Sequence, residues 1–262
     1  MPEASAHPAL LGVGDPSPCE VVEAVSDSPF VLLADHAGQR VPTRLDNLGL
    51  PQAELDRHIG WDIGIAAVTR LLAEQLGAWA ILQRYSRLVI DCNRPPAAPD
   101  SVATHSDGTR IPGNAGLDAA ALRQRRNEIF DPYHQCIEQE LDRRQQSGAS
   151  PILVAMHSFT PAMAGQARPW HVGVLYQRDS RLAGLLLHAL RGEPGLVVGD
   201  NQPYSVSDAT DYAIPVHGER RGLLHVELEL RQDLVAGRSG QQQWAARLAR
   251  LLADLPVGLT RP

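Results

Sequence analysis

Residues 151–161, PILVAMHSFTP, change from apolar to polar within a few positions. A short, continuous apolar run is typical of a strand covered on both faces of a parallel sheet. The run gives way to His157 before Pro161 ends the strand. A second apolar run, VLLADH at residues 31–36, also ends in a histidine, His36. Because the carboxyl ends of parallel strands meet at one edge of a sheet, we expect the two histidines to share a site there.

The rest of the chain repeats this alternation of strands and helices. Strands are predicted at residues 31–36, 78–83, 87–93, 151–158, 171–177, 196–201 and 223–230. Helices are predicted at residues 63–76, 118–144, 179–191 and 240–254. Short apolar strands alternating with amphipathic helices favour an α/β domain whose mostly parallel sheet is covered on both faces. We assign residues 29–262 to this single domain and residues 1–28 to a Pro-rich N-terminal lead-in.

The composition excludes several classes of function. The chain has 262 residues and a formal net charge of −6, and its basic residues are scattered arginines, so we expect no nucleic-acid partner. No apolar stretch approaches the roughly 18 residues that a membrane-spanning helix needs. The three cysteines form no metal or disulfide pattern and the N-terminus lacks a signal peptide, so a cytoplasmic location is expected. The partner that remains is a small molecule.

The two histidines are candidate metal ligands. A catalytic zinc site usually takes three protein ligands and leaves one position for water. Asp62, which follows Gly-Trp before a predicted helix, is the best third candidate, although the same position is typical of a helix N-cap. His58 lies four residues before Asp62, but the intervening Gly60 argues against a continuous helix that would carry both.

Residues 223–234, LLHVELELRQDL, form the most informative strand. A period of two places Val226 and Leu228 on one face and Glu227 and Glu229 on the other. The polar face could be an exposed surface of the sheet. Alternatively, it delivers a carboxylate into a cavity, where a metal-bound water needs a general base. Spacing alone does not separate the two interpretations.

Residues 86–95, SRLVIDCNRP, bring four polar side chains to the end of another predicted strand, namely Arg87, Asp91, Asn93 and Arg94. An arginine beside an asparagine can bind a substrate carboxylate, because the guanidinium forms two parallel hydrogen bonds and the amide adds another donor. The alternative is an arginine–aspartate ion pair that holds the following loop, residues 94–117. A loop of that length commonly walls a binding site.

Seven short motifs occur in order between about residues 30 and 255: DHAGQRVP, HIGWDIG, SRLVIDCNRP, IPGN, HSFTP, GDNQPYS and VELELRQDL. Together they make the sequence resemble the N-formylglutamate amidohydrolase family, which is related to the zinc carboxypeptidases and aspartoacylases. The resemblance implies a phosphorylase/hydrolase-like fold, a three-layer α/β/α sandwich with a central mixed sheet. It also implies Zn²⁺, or another divalent metal, as the cofactor.

By this resemblance, the metal ligands are His36, Asp62 and His157. Zinc carboxypeptidases take their first histidine and a glutamate from an HxxE motif. Here the corresponding stretch, HAGQ, has Gln39 in place of the glutamate, which leaves Asp62 as the acidic ligand.

The catalytic residues implied by the resemblance are Glu229, as the base, and Arg87, near the scissile carbonyl. Glu227 is the alternative base if the register of the strand differs by one pleat. Asn93 and Arg94 match the pair that binds a terminal carboxylate in the carboxypeptidases. The full set implied for substrate binding is Asn93, Arg94, Asn114, Ser158 and His217.

We therefore expect a metal-dependent amidohydrolase that removes the formyl group from N-formyl-L-glutamate or a similar N-acyl amino acid. Another N-acyl or N-carbamoyl amino acid, or a short peptide, would need the same chemistry. A non-catalytic metal- or carboxylate-binding protein on the same fold is the alternative from another class. A glutamate retained beside both histidines favours the enzyme, because a binding protein needs no base.

Overall fold

A seven-stranded sheet runs through the centre of the computed structural model, which describes residues 9–255. The start of the predicted lead-in, residues 1–8, and the end of the predicted domain, residues 256–262, lie outside the described residues. The strands in chain order are β1 (Cys19–Val22), β2 (Phe30–Ala34), β3 (Trp79–Gln83), β4 (His105–Ser106), β5 (Thr109–Arg110), β6 (Ile152–Phe159), β7 (Ala162–Met163), β8 (Gln166–Ala167), β9 (Val172–Leu175), β10 (Val198–Asp200) and β11 (Leu224–Arg231). The pairs β4–β5 and β7–β8 are separate small hairpins.

The large sheet is mixed, with the strand order β1-β3-β2-β6-β11-β9-β10. Its four central strands, β3, β2, β6 and β11, are parallel to one another. In contrast, β1 is antiparallel to β3, and β9 is antiparallel to β11. The carboxyl ends of the four central strands therefore lie at one edge, which confirms the arrangement expected from the two histidines.

Six α-helices lie within the described residues: α1 (Gln52–Leu55), α2 (Ile65–Leu76), α3 (Ala119–Arg125), α4 (Asp131–Gln146), α5 (Arg181–Arg191) and α6 (Arg238–Ala253). The predicted helix at residues 118–144 is observed as α3 and α4, which a π-helical turn at Arg126–Phe130 joins. As predicted, α2 ends at Gly77, which takes a left-handed conformation with φ 59°. None of the helices in residues 9–255 is long and apolar enough to cross a membrane.

The two faces of the sheet pack against different helices. On one face, α2, α5 and α6 cover side chains such as Leu32, Val154 and Leu228. On the other face, α4 and the loops before it cover Val31 and Leu153. Because neighbouring residues of a strand point to opposite faces, each central strand contributes to both cores. The result is the expected α/β fold, a mixed central sheet between two helical layers.

The prediction of a strand at residues 87–93 is wrong, because this segment forms consecutive turns. It is nevertheless buried, and side chains satisfy part of its backbone. Asn114 Nδ2 donates a hydrogen bond to Leu88 O, and Arg125 Nη1 donates one to Val89 O. A short apolar run indicates burial, and its pattern alone does not distinguish a buried turn from a strand.

The strand β1 lies inside the predicted N-terminal lead-in, where the sequence pattern predicts no strand. It pairs antiparallel with β3, with Val21 beside Ile81, and forms one edge of the sheet. All of its residues are half-buried. A strand of this length is too short for its periodicity to be detected. Part of the lead-in is thus built into the sheet.

Candidate active site

The strands β2, β6 and β11 bring the candidate site together at their carboxyl ends. Glu229 of β11 lies directly beside His157 of β6 in the register of the two parallel strands. His36 follows the end of β2, and its ring lies against that of His157, with the ring centroids 4.9 Å apart. The expectation that the two histidines meet is therefore confirmed.

Three donor atoms converge at this position: His36 Nδ1, Asp62 Oδ2 and His157 Nδ1. The two ring nitrogens are 3.2 Å apart, and Asp62 Oδ2 lies 3.0 Å from His157 Nδ1 and 3.5 Å from His36 Nδ1. In a tetrahedral zinc site with bonds of about 2.0–2.1 Å, the ligand atoms are about 3.3 Å apart. All three residues are buried, and the group could hold a metal ion.

A carboxylate lies behind each histidine ring. His36 Nε2 is 2.7 Å from Asp91 Oδ1, and His157 Nε2 is 3.4 Å from Asp35 Oδ2. The Asp91 acceptor favours the His36 tautomer that carries its proton at Nε2, which leaves the Nδ1 lone pair directed at the centre. His157 Nε2 has no hydrogen-bond partner among the described residues, and Asp35 is the nearby charge. Sequence reasoning named Asp91 only as a partner for an arginine, and it gave no role to Asp35, which directly precedes His36.

Asp62 does not cap a helix, so the N-cap interpretation is wrong. The helix α2 begins at Ile65, its cap position is Gly64, and no side chain caps this end. The Asp62 carboxylate instead accepts a hydrogen bond of 3.1 Å from the backbone N–H of Ser158. Burial would raise the pKa of Asp62, but in the metal-free protein the two neighbouring histidines, when protonated, lower it well below its ordinary value. The carboxylate is thus ionised, as a metal ligand must be.

The arginine–aspartate ion pair considered for residues 86–95 is present beside the centre. Arg87 Nη2 donates to Asp91 Oδ2 at 2.7 Å, and Arg87 Nη1 lies 3.4 Å from Asp62 Oδ1. Asp91 therefore contacts both Arg87 and His36. Arg87 also lines the cavity next to the centre, so the ion pair does not exclude a contact with substrate.

The candidate metal centre lies in the wall of a cavity of about 620 Å³. Besides the three candidate ligands, the cavity is lined by eight residues that the sequence analysis singled out: His58, Arg87, Asp91, Asn93, Arg94, Ser158, Glu227 and Glu229. The loop at residues 94–117 contributes to the wall through Ala103, His105 and Asp107. A cavity of this size is typical of small-molecule sites.

Glu227 and Glu229 are buried in this cavity, with 3% and 6% of their surface exposed. The interpretation of β11 as an exposed, charged strand is therefore wrong. One carboxylate oxygen of each residue has no hydrogen-bond partner among the described residues. Burial raises the pKa of each carboxyl to about 8, although His157 opposes the shift. Glu229 is level with His157, whereas Glu227 is level with Ala155, one pleat deeper.

Gly173 of β9 lies beside Glu229 and makes room for a neighbouring loop. A Cβ atom at this position would lie 2.1 Å from Gln202 O and 3.3 Å from Glu229 Cβ. Glycine permits the close approach of the Gln202 backbone because it has no side chain. Sequence reasoning does not single out Gly173, since nothing in the sequence indicates which strand lies next to β11.

Asn93 and Arg94 connect the cavity wall to residues 210–213. Asn93 Oδ1 accepts two backbone hydrogen bonds from this segment, both of 3.0 Å. Arg94 Nη1 donates to Thr210 O, and Arg94 Nε lies 3.3 Å from Asp100 Oδ2. Because both residues hold the wall together and also line the cavity, their role in carboxylate binding stays a prediction.

The other three residues implied for substrate binding are engaged within the protein. Ser158 lines the cavity, but its Oγ donates to a backbone carbonyl at 2.9 Å. Asn114 Nδ2 donates to two backbone carbonyl oxygens, and its Oδ1 accepts from Arg125. His217 is buried against His134, with 2.9 Å between Nε2 and Nδ1. Asn114 and His217 do not line the cavity, so their predicted contact with substrate has no support in this geometry.

Known structures share this fold. The crystal structure of gene product Atu2144 from Agrobacterium tumefaciens is similar at 35% identity and a TM-score of 0.90, over 93% of this chain and 96% of that one. An N-formylglutamate amidohydrolase from Ralstonia eutropha JMP134 is similar at 18% identity and a TM-score of 0.66, over 90% of this chain and 95% of that one. At so low an identity, the second likeness supports the fold alone.

Sequence comparisons point to one family. N-formylglutamate deformylase from Pseudomonas aeruginosa is 29% identical over 143 residues, which are 50% of this chain and 52% of that protein. The match thus spans about half the length of this curated relative. The sequence model of a family described as N-formylglutamate amidohydrolase matches residues 28–236. Because that match covers most of the chain, including all three candidate metal ligands, the chain belongs to the N-formylglutamate amidohydrolase family.

Proposed function

We propose that the protein is a metal-dependent amidohydrolase that removes the formyl group from N-formyl-L-glutamate or a similar N-acyl amino acid. The observation that carries the proposal is the convergence of donor atoms from His36, Asp62 and His157, between 3.0 and 3.5 Å apart, in a cavity that also holds buried Glu229. Metal ligands beside a buried, unpaired carboxylate suit the hydrolysis of an amide by water. Membership of the family supports the same chemistry.

The candidate ligands fit zinc or another divalent metal, since imidazole and carboxylate donors suit such ions. A metal bound here supplies Lewis-acid polarisation of the amide carbonyl and lowers the pKa of water. Asp91 holds the His36 imidazole in the orientation that ligation needs, and Asp35 lies 3.4 Å from His157 Nε2. The backbone N–H of Ser158 does the same for Asp62.

Glu229 is assigned the role of general base. Its unpaired carboxylate oxygen would take a proton from the attacking water and return it to the nitrogen of the leaving amine. Burial raises its pKa to about 8, which makes it a stronger base than an exposed glutamate. Glu227 lies one pleat away with a pKa raised in the same way and is the alternative base.

Two arginines are assigned to the charges of the substrate and the transition state. Arg87, next to the candidate ligands, would stabilise the negative charge that develops on the carbonyl oxygen. Arg94, with Asn93, would bind the α-carboxylate and hold the amide against the centre. The scissile amide would then lie between Arg87 and Glu229.

Other functions fit the cavity differently. Hydrolysis of another N-acyl or N-carbamoyl amino acid, or of a short peptide, would use the same residues. A non-catalytic carboxylate-binding protein fits less well, because Glu227 and Glu229 are buried there with an unpaired oxygen each.

A panel of N-formyl, N-acetyl and N-carbamoyl amino acids, assayed with and without added zinc, tests the proposal. We expect N-formyl-L-glutamate to be hydrolysed with release of formate, and we expect added zinc to be required after chelation. Hydrolysis of only the N-acetyl or only the N-carbamoyl amino acids would assign a different acyl group to the substrate. Failure of the zinc-loaded protein to hydrolyse any member of the panel would contradict an enzymatic function.

A further inference from the structure

Neutral side chains hold Arg168 at the edge of the active-site cavity. Arg168 follows the β7–β8 hairpin, and its Nη1 donates hydrogen bonds to Tyr204 Oη at 2.8 Å and to Thr160 Oγ1 at 3.4 Å. The guanidinium also stacks on the Tyr204 ring, 4.9 Å from its centroid. Its Nη2 lies 2.9 Å from Met163 Sδ. These contacts fix the plane of the guanidinium.

The side chains that hold Arg168 are themselves part of the cavity wall, namely Thr160, Met163 and Tyr204. The charge of Arg168 also acts on the carboxylate of Glu229 inside the cavity. Burial raises the pKa of Glu229, and Arg168 is among the cations that oppose this shift. Arg168 therefore lies beside the space that the proposed substrate would occupy.

Arg168 has no carboxylate within ion-pair distance in residues 9–255, in contrast to the two arginines that line the cavity. Arg87 pairs with Asp91, and Arg94 pairs with Asp100. A half-buried guanidinium without a counter-ion loses hydration and gains no ion pair in return. This unpaired charge indicates that an anionic ligand completes the site.

Tyr204 adds a second donor at the same place. Its hydroxyl oxygen accepts the hydrogen bond from Arg168, so its own O–H proton is left to donate. A carboxylate that reaches Arg168 can therefore also accept a hydrogen bond from Tyr204. A guanidinium with a neighbouring hydroxyl donor binds a carboxylate better than it binds a neutral amide.

We propose that Arg168, assisted by Tyr204, binds the side-chain carboxylate of an N-acylated acidic amino acid. The inference rests on the proposed function, which places the α-carboxylate at Arg94 and the amide at the metal centre. Arg94 contacts Thr210, whereas Arg168 contacts Thr160 and Tyr204, so the two cations lie against different parts of the wall. A dicarboxylic amino acid pairs with both of them. Arg168 is then the residue that selects acidic substrates.

Glutamate and glutamine isolate this contact, because they differ only in the charge and donor groups at the end of the side chain. The two measurements are kcat/KM for N-formyl-L-glutamate and N-formyl-L-glutamine, and the calorimetric affinities of L-glutamate and L-glutamine. Both are made on zinc-supplemented wild type and Arg168→Gln. We expect the wild type to prefer the acid in each pair. The variant should lose about 10- to 100-fold of that preference, as expected for a lost charge-assisted hydrogen bond.

Three further variants separate this role from a general loss of charge. Arg231→Gln removes the same charge near the same loop, where Arg231 contacts Pro169 O at 3.3 Å, but Arg231 already pairs with Asp233. It should leave the preference unchanged. Tyr204→Phe keeps the ring and removes the hydroxyl, so a smaller loss in the same direction is expected. Arg94→Gln should instead weaken the preference for N-formylglutamate over its α-carboxamide.

The inference is overturned if Arg168→Gln, with a wild-type unfolding transition, still prefers glutamate over glutamine as strongly as the wild type does. It is also overturned if that variant loses discrimination at the α-carboxylate instead, or if the wild type binds glutamate and glutamine equally. If Arg168→Gln does not fold, Arg168→Lys provides the comparison, because it keeps the positive charge and loses the planar guanidinium with its two parallel donors. Failure of the proposed function gives a different result, because no N-formyl amino acid is then hydrolysed. The calorimetric affinities of L-glutamate and L-glutamine still show whether Arg168 binds the side-chain carboxylate.

Discussion

At the level of single residues, Glu227 and Glu229 show how position on one strand separates two identical side chains. Both line the cavity, and burial raises the pKa of both to about 8. Only Glu229 is level with His157 in the register of β11 and β6. A general base must lie within reach of the proton that it removes. The pKa does not distinguish the two glutamates, but position relative to the candidate metal ligands favours Glu229.

Glu229→Gln is expected to retain the metal and lose most of its turnover. The amide has nearly the size of the carboxylate but cannot accept a proton at neutral pH, so kcat should fall by about 10²–10⁴-fold. Formate release from N-formyl-L-glutamate and elemental analysis are the two measurements. Glu227→Gln is the matched comparison, because it makes the same change two residues away. An inactive Glu227→Gln beside an active Glu229→Gln would place the base one pleat deeper.

At the level of elements, periodicity predicted which residues share a face but not what covers that face. The alternation in residues 223–230 placed Glu227 and Glu229 together, and their burial depends on segments that pack over them from elsewhere in the chain. The apolar runs located β2 and β6 correctly. The same signal misassigned residues 87–93, because a buried turn whose backbone is satisfied by side chains has the composition of a strand.

The residues expected to touch the metal could be named from motifs, whereas the contacts that support them could not. His36 follows β2 and His157 lies near the end of β6, and both strands are recognisable in the sequence, so the meeting of the two histidines was predictable. The contact between His36 and Asp91 depends on the turns that the pattern at residues 87–93 misassigned. The contact between Arg168 and Tyr204 joins a hairpin to a distant loop, and neither segment has a periodic pattern.

Gly173→Ala tests how β9 packs beside β11. The added Cβ would lie 2.1 Å from Gln202 O, a backbone atom, so the loop or the strand must shift. Overpacking of this kind lowers the free energy of unfolding by about 1–3 kcal/mol, which urea denaturation measures. Turnover should fall as well, because the new methyl group would lie 3.3 Å from Glu229 Cβ.

Gly184→Ala is the matched control for this change. Gly184 is an exposed residue of α5, and nothing lies within 4 Å of a Cβ added there. Alanine is the better helix former by about 1 kcal/mol, so this variant should be at least as stable as the wild type. Equal stability of Gly173→Ala and the wild type would contradict the close approach of Gln202.

At the level of the whole molecule, stability depends on two histidines that stay neutral when the protein is folded. His134 donates from Nε2 to Cys92 O and accepts at Nδ1 from His217 Nε2. The remaining nitrogen, His217 Nδ1, has no partner among the described residues, so a proton there would lack an acceptor. Burial lowers the pKa of His134 to about 4 and that of His217 to about 3.

Acidification is therefore expected to reduce the stability that this buried pair contributes. The unfolded chain binds protons at these two histidines below about pH 6.5, whereas the folded chain leaves His134 neutral down to about pH 4. Because the unfolded state then binds more protons at these two histidines, their contribution to the free energy of unfolding decreases as the pH falls from about 6.5 to about 4. Glu227 and Glu229, whose pKa is raised to about 8 in the folded protein, contribute in the opposite direction, so the effect of the histidine pair is read from the difference between the wild type and a histidine variant. Urea denaturation at several pH values in this range measures the effect.

His217→Gln removes one of the two groups and should make this pH dependence shallower. His188→Gln, which changes an exposed histidine of α5, is the control and should leave it as in the wild type. A slope that stays the same in His217→Gln would show that the buried pair does not set the acid stability.

Zinc titration of the chelator-stripped protein measures most directly whether hydrolysis depends on the centre formed by His36, Asp62 and His157. Formate release from N-formyl-L-glutamate and bound zinc are followed together during the titration. Activity should rise in proportion to bound zinc and level off at about one ion per chain, and His157→Ala should neither retain zinc nor turn over substrate. Full activity of the stripped protein, or a His157→Ala variant that keeps one zinc ion and its turnover, would contradict this dependence.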